Sequence, residues 1–165
     1  MLTLYMVQLG GRPKGRLIEQ HDIFFGAASQ VSDLIGDINE HWPEVKNKWH
    51  IDSYRAIAKV GSYAIKLIEP SQQLKAAADL KLFFINLGGY QQDSFEEFHY
   101  KLLIANRLNR KLNIVDIDDI YNVNDLISNV QLSIEPISDT DELNAKEDKE
   151  YVGYLSIKNL KKLAL

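Results

Sequence analysis

The stretch at residues 2–26, LTLYMVQLGGRPKGRLIEQHDIFFG, decides the fold prediction, because a diluted version, LKLFFINLGGYQQDSFEEFHYKLLI, returns at residues 80–104. Without a gap, Gly10 aligns with Gly88 and His21 with His99, in each case 78 residues later (88 − 10 and 99 − 21). Self-similarity of this kind indicates a repeated structural unit. The second half of the chain is therefore predicted to be a copy of the first.

The first repeat combines a strand pattern with a helical one. Residues 2–9 are almost entirely apolar and end at a glycine pair, which predicts a strand buried on both faces near the centre of its sheet. From residue 17 to residue 42 apolar side chains recur every three or four positions, which predicts one long amphipathic helix. Two alternating segments around Gly61 and Ser62 predict a closing hairpin. Repeat one is thus predicted as β-α-β-β.

The second copy predicts the same order with a shorter helix, at about residues 95–109. The expected fold is α+β, with tandem β-α-β-β repeats packed as one pseudo-two-fold unit and helices on one face of a mixed sheet. The predicted boundaries are 1–70 for repeat one, 71–79 for a linker, 80–137 for repeat two, and 138–165 for an acidic loop and C-terminal extension. That extension is expected to add one more strand, at 151–157, and a helical turn or two.

Composition narrows the functional classes. At 165 residues and 45% hydrophobic, the chain can bury a substantial core. Its formal net charge of −4 argues against binding nucleic acid or an anionic membrane, and no apolar run is long enough to span a bilayer. The chain has no cysteine, which excludes disulfides, thiolate nucleophiles and zinc-thiolate sites. A cytoplasmic protein is the expectation.

The run LGGRPKGRLIEQHDIFFG and the downstream HIDSYR resemble a family of small bacterial proteins called domain of unknown function fifteen-forty-three. The resemblance covers most of repeat one closely and repeat two loosely. It implies one or two copies per chain, and it brings no activity, ligand or catalytic residue. The second copy departs from the pattern where RPKGR is replaced by YQQDS. Any function of that loop is therefore expected in repeat one alone.

The glycine and arginine loop is the first candidate site. Repeat two starts its predicted helix with a capping box, Ser94 to Glu97, whereas the aligned residue in repeat one is Arg16, which cannot cap a helix. An uncapped helix start beside cations can bind phosphate or carboxylate. The candidate anion ligands are Gly10, Gly11, Arg12, Lys14 and Arg16. The competing interpretation is a solvated loop, and Glu19 at the third helical position counts against an anion.

The histidines form the second group of candidates. His21 lies on the predicted apolar stripe, either as a half-buried structural residue or as a proton-transfer group beside the glycine loop. Glu19 and His21 are two residues apart, a spacing that places them on nearly opposite faces of a helix, so no metal site is predicted. On the following strand His50, Asp52 and Tyr54 are expected to share one face and to complete a site with His21, or else to face solvent.

Three functions remain open. The first is a small-molecule or anion-binding module that uses the loop residues, His21 and Tyr54. The second is a small enzyme with His21 or His50 as general base and Asp52 as the residue that orients it. The third is an interaction module or a homodimer built through free strand edges. The binding module is preferred because no activated nucleophile is present, and the sequence identifies no cofactor.

Overall fold

A computed structural model describes residues 2–70, 80–89, 97–105, 117–137 and 150–163. The strands are β1 (Thr3–Gly11), β2 (Gln20–Ala28), β3 (His50–Ile57), β4 (Lys59–Val60), β5 (Tyr63–Ile68), β6 (Lys81–Gly89), β7 (Glu97–Ala105), β8 (Ile117–Asn122), β9 (Gln131–Pro136) and β10 (Glu150–Ser156). The α-helices are α1 (Ile35–His41) and α2 (Ile157–Lys162), and short 3₁₀ helices lie at Val31–Leu34, Pro43–Val45 and Val123–Asp125. The fold is therefore α+β.

The chain divides into two compact units. Unit 1 consists of Met1–Ala58 together with Ala145–Leu165, and unit 2 is Lys59–Asn144. These units do not coincide with the predicted repeats. The hairpin of β4 and β5, which the sequence assigns to repeat one, belongs to unit 2, and the C-terminal segment Ala145–Leu165 belongs to unit 1. The expected strand at 151–157 is present as β10 and completes the sheet of unit 1.

Unit 1 contains a four-stranded antiparallel sheet in the order β10-β3-β1-β2. The prediction that the first strand is central is confirmed, since β1 pairs with a strand on each side. The expected mixed sheet is wrong for the described residues, because every ladder that they form is antiparallel. An apolar run on β1 suits this interior position, because side chains on both faces of the strand are buried away from water.

The predicted long helix at residues 17–42 is wrong over its first half. Residues 20–28 form β2, which pairs with β1 from Thr3↔Ala28 to Gly11↔Gln20. Phe24 and Phe25 are adjacent and both buried, so β2 places apolar side chains on both faces, and such a run also satisfies a three-to-four spacing. Helical structure begins only at Val31, with a 3₁₀ turn followed by α1.

One core cluster of unit 1 packs on the face of the sheet that carries Leu9 and Ile51. Buried side chains from β1 and β3, such as Leu9 and Ile51, pack with Ile38 of α1 and Leu160 of α2. Both short helices therefore cover this face. The buried members of the core are Val7, Leu9, Phe24, Ala28, Val31, Leu34, Ile38, Val45, Trp49, Ile51, Leu155 and Leu160.

Unit 2 contains two three-stranded antiparallel sheets, in the orders β4-β5-β9 and β7-β6-β8. The expected central position of the strand after residue 80 is confirmed by β6. The helix expected at about 95–109 is wrong, because Glu97–Ala105 form β7 and pair with β6. The turn expected at Gly61 and Ser62 joins β4 to β5, and Gly61 adopts a φ of +57° there.

The two units share one local irregularity of pairing. Between Gln8 and Leu9 the β1–β3 ladder shifts so that Asp52 has no partner, and between Asn86 and Leu87 the β6–β8 ladder shifts in the same way at Asp118. The hairpins differ by one residue, however, because Gly10 is opposite His21 whereas Gly88 is opposite Phe98. The gapless alignment of His21 with His99 is therefore wrong.

Three of the expectations lie outside the described residues: the linker at 71–79, the Ser94 cap and the acidic loop at 138–149. Within the described part of the chain, no helix has the length and apolar character needed to cross a membrane.

Candidate functional site

The register of the unit 1 sheet brings two histidines to either side of a glycine. Gly10 on β1 is paired with His21 on β2 and with His50 on β3. Residues that pair directly across antiparallel strands project from the same face of the sheet. Both imidazoles therefore project from one face, with no side chain between them.

Gly10 is required by the packing around it. A Cβ at this position would lie 2.4 Å from His50 Nε2 and 2.9 Å from Asp52 Oδ2. Such distances are shorter than any ordinary van der Waals contact, so the side chains of β3 occupy the space over the backbone of β1. The glycine pair thus serves a close approach here, and it does not form a phosphate-binding turn before a helix.

A β-bulge at Asp52 changes which residues of β3 share a face. Gln8 is opposite Ser53 and Leu9 is opposite Ile51, which leaves Asp52 as the extra residue. The side chain of Asp52 stays beside His50. Tyr54 instead lies on the core side of the sheet and packs against the cluster that contains Ile51.

The expectation that Tyr54 joins His50 and Asp52 is therefore wrong, because strict alternation does not survive the bulge. The ring of Tyr54 stacks on Tyr151, with centroids 5.3 Å apart, and meets Tyr5 edge to face at 6.0 Å. These contacts use Tyr54 for packing and remove it from the candidate ligand set.

Two carboxylates and two imidazoles converge above Gly10. Asp52 Oδ1 lies 3.1 Å from His50 Nε2, and Asp52 Oδ2 lies 3.3 Å from His21 Nε2. Glu19 Oε1, at the end of the β1–β2 loop, lies 3.4 Å from His50 Nε2 and 3.5 Å from His21 Nε2. We call these four residues, Glu19, His21, His50 and Asp52, the histidine–carboxylate cluster.

The residues of the cluster differ in their exposure to solvent. His50 is only 6% exposed, and the ring of Tyr154 on β10 covers it at a centroid distance of 4.2 Å. The side chains of Glu19 and His21 are each nearly half exposed. Asp52 Oδ2 is buried and has no hydrogen-bond partner among the described residues, although His21 Nε2 is close. A ligand could therefore approach from the side of Glu19 and His21.

Three of these residues have the composition and spacing of a metal site. One ligand atom from each of Glu19, His50 and Asp52 lies within 4.8 Å of the other two. His21 is a further nitrogen donor next to both carboxylates.

The cationic loop has a different setting from the one expected. Arg12, Lys14 and Arg16 are exposed and lie between β1 and β2, where the Arg16 N–H donates to the Pro13 carbonyl at 3.2 Å. No helix begins there, so an uncapped helix terminus cannot contribute to anion binding. Gly11 turns away from the cluster, and a Cβ on it would meet Val45 at 3.2 Å.

Two members of the site environment were missed in the sequence. The sequence predicts a helix at Glu19, where a carboxylate counts against an anion site, and Tyr154 belongs to a strand far along the chain. A signal for Glu19 was present, because the turn residues RPKG between two runs of β-forming side chains are typical of a hairpin. No local pattern connects Tyr154 with His50.

Comparisons with known proteins agree with the fold and name no activity. Residues 16–67 match the family described as Domain of Unknown Function (DUF1543), which confirms the resemblance noted from the sequence. A comparison with curated protein sequences gives no significant match. The crystal structure of protein Il1583 from Idiomarina loihiensis is similar, with a TM-score of 0.69 and 20% identity over 95% of this chain and 99% of that chain. At this identity the likeness concerns the fold alone.

Proposed function

We propose that the protein is a small-molecule-binding module, which holds a small anionic ligand at the histidine–carboxylate cluster and the adjoining β1–β2 loop. The observation that carries the proposal is the row of His21, Gly10 and His50 across three strands. It places two imidazoles on one face directly beside the start of a loop that contains Arg12, Lys14 and Arg16.

Charge decides which part of the site holds the anionic group. Glu19 and Asp52 repel an anion at the centre of the cluster, whereas the three exposed cations of the loop attract it. Hydrogen bonds from guanidinium or ammonium groups to phosphate or carboxylate are charge-assisted and about twice as strong as neutral ones. The ligand is therefore expected to contact the loop with its anionic group and the cluster with its remainder.

The test is calorimetric titration of phosphate, sulfate, nucleotides and small carboxylates into the protein and into the double variant Arg12→Ala with Arg16→Ala. Loss of two charge-assisted hydrogen bonds should weaken binding by roughly 2 to 4 kcal/mol. The matched control is Lys161→Ala with Lys162→Ala, which removes two exposed cations from the end of α2 and should leave the affinity unchanged. Equal affinities in all three proteins, or no binding by any, would exclude the proposal.

An enzyme is the second candidate, favoured by the 3.1 Å contact between His50 Nε2 and Asp52 Oδ1. Such a carboxylate can orient an imidazole that acts as general base. The binding module ranks first because the Nε2 atoms of both histidines already face carboxylates. A screen with chromogenic ester and phosphate substrates tests the enzyme, and any turnover must disappear in His50→Gln.

We also propose that the two repeats derive from one ancestral unit. Matching bulges at Asp52 and Asp118 support an origin of the two repeats by duplication. A homodimer through the strand edge of β2, which has one described partner, is the interaction alternative. Analytical ultracentrifugation tests it directly.

A further inference from the structure

We propose that the histidine–carboxylate cluster is a binding site for one divalent transition-metal ion of the zinc class, ligated by Glu19, His50 and Asp52 with His21 beside them. The inference rests on the proposed function for the position of the site. Its chemical argument stands on separate observations, namely donor spacing, an unpaired oxygen and a position that must be glycine.

The spacing of the donor atoms fits a single small cation. Zinc bonds of about 2.0 to 2.1 Å in a tetrahedron separate neighbouring ligand atoms by about 3.3 Å. From His50 Nε2 the distances are 3.1 Å to Asp52 Oδ1 and 3.4 Å to Glu19 Oε1. From His21 Nε2 they are 3.3 Å to Asp52 Oδ2 and 3.5 Å to Glu19 Oε1. Glu19, His50 and Asp52 thus already hold ligand-like separations, and their ligand atoms all lie within 4.8 Å of one another. His21 lies beside them, close to the second oxygen of Asp52.

Hydrogen bonding alone leaves this arrangement unsatisfied. Each Nε2 carries at most one proton, yet each of the two Nε2 atoms faces two carboxylates. Asp52 Oδ2 is buried without a hydrogen-bond partner among the described residues. A buried oxygen of this kind destabilises the fold while it stays unpaired. A cation between the carboxylates would satisfy it and would offset their mutual repulsion.

The donor set indicates the class of metal. Imidazole nitrogen with carboxylate oxygen suits zinc and its first-row neighbours, whereas calcium and magnesium prefer sites made of oxygen alone. The sequence-based expectation of no metal depended on Glu19 and His21 lying on one helix. That reason does not apply to the structure, because these residues are not on a helix. Glu19 lies in the β1–β2 loop and His21 on β2, and the register of the sheet brings them next to the β3 residues of the cluster.

The surroundings of His50 support a preformed site. Gly10 leaves space that His50 and Asp52 occupy, and the ring of Tyr154 lies against the imidazole from the other side. A ligand held by its neighbours loses little conformational entropy when it binds a metal. The bound cation would also give an anionic ligand a positive partner where Glu19 and Asp52 would otherwise repel it.

The experiment uses the full chain without an affinity tag, stripped of metal by dialysis against a chelator. Calorimetry and equilibrium dialysis with Zn²⁺ should give one ion per chain, and Mg²⁺ should bind far more weakly. His50→Gln and Asp52→Asn should each reduce Zn²⁺ affinity at least tenfold. The visible spectrum of the Co²⁺ form provides a readout of nitrogen and oxygen coordination that does not depend on any activity.

His41→Gln is the matched control. His41 Nε2 also contacts a carboxylate, Asp22 Oδ2 at 2.8 Å, but Asp22 pairs with Leu9 and so lies on the other face of the sheet. Its removal should leave Zn²⁺ binding unchanged. Should His50→Gln fail to fold, as judged by circular dichroism, Glu19→Gln removes a half-exposed ligand instead and must show the same loss.

Absence of Zn²⁺ binding by the wild-type chain, or binding that survives Glu19→Gln and Asp52→Asn, overturns the metal site. Sulfate titrated into the metal-free and Zn²⁺-loaded forms separates this inference from the proposed function. Zn²⁺ binding without any anion binding supports the metal site and refutes the anion-binding module. Anion binding by a chain that takes up no Zn²⁺ does the reverse.

Discussion

Gly10 and His50 are opposite each other in the β1–β3 ladder, and the imidazole of His50 occupies the space that a side chain at position 10 would need. A glycine that looks from the sequence like a turn residue is therefore part of the site itself. Its role is steric: the histidine can lie over the backbone of the neighbouring strand only because position 10 has no Cβ.

Gly10→Ala should destabilise the fold and disrupt the cluster. The added methyl group would lie 2.4 Å from His50 Nε2, so His50 must move or β1 must shift. Overpacking of this kind costs about 1 to 3 kcal/mol. Urea unfolding followed by tryptophan fluorescence measures the loss, and Zn²⁺ calorimetry measures the effect on the cluster.

The control for this prediction is Gly36→Ala on α1, where an added Cβ meets nothing within 4 Å. Replacing a helical glycine by alanine should raise the free energy of unfolding by about 0.5 to 1 kcal/mol. Opposite signs for the two substitutions are the expected result. A neutral Gly10→Ala would contradict the close approach of His50.

Leu160→Ala should destabilise unit 1 by about 2 to 5 kcal/mol, because it removes a fully buried side chain from the core and leaves a cavity. Leu163→Ala is the matched control, since Leu163 lies three residues further on and is 59% exposed. The control should change the free energy of unfolding by no more than about 0.5 kcal/mol. Similar small effects of both would mean that α2 does not pack in the core.

Tyr5→Phe should reduce the loss of stability at alkaline pH. Burial raises the pKa of Tyr5 above its ordinary value of 10.0, and the nearby Tyr54 adds to the rise. Because the folded-state pKa is the higher one, the contribution of Tyr5 is fully present below about pH 10 and is lost as the pH rises through the folded-state pKa.

The measurement is the free energy of unfolding of the wild type and of Tyr5→Phe at a series of pH values on both sides of 10. The difference between the two proteins should be constant at lower pH and should shift in favour of the variant above 10. A constant difference across the whole series would show that Tyr5 ionises equally easily in the folded and unfolded chains.

Strands buried on both faces explain where the sequence-based fold prediction succeeded and failed. The runs that form β1 and β6 have apolar side chains at nearly every position. Both the continuous apolar pattern and the short length of each run therefore predict a strand. In β2 the same property led to a wrong prediction. When apolar side chains such as Phe24 and Phe25 occupy adjacent positions, some of them also recur every three or four residues, which is the helical pattern. Pairing with β1, a tertiary effect, decided between the two.

The candidate site was predictable only as far as its residues follow local rules. Gly10, His21, His50 and Asp52 were all candidates, and the structure brings them together. The bulge that separates Tyr54 from them is a property of the β1–β3 register, which no single strand specifies. Tyr154 comes from β10, whose pairing with β3 spans the whole of unit 2 along the chain.

That insertion of unit 2 between β3 and β10 has a kinetic consequence. The β1–β2 hairpin closes through a short loop, but the β3–β10 ladder forms only after a long segment has been brought round, and such distant pairings slow the folding of a sheet. Tyr154 can reach His50 only once this ladder exists. On refolding, we therefore expect the ring of Tyr154 to cover His50 only after the segments on either side of unit 2 have joined, later than the β1–β2 hairpin forms.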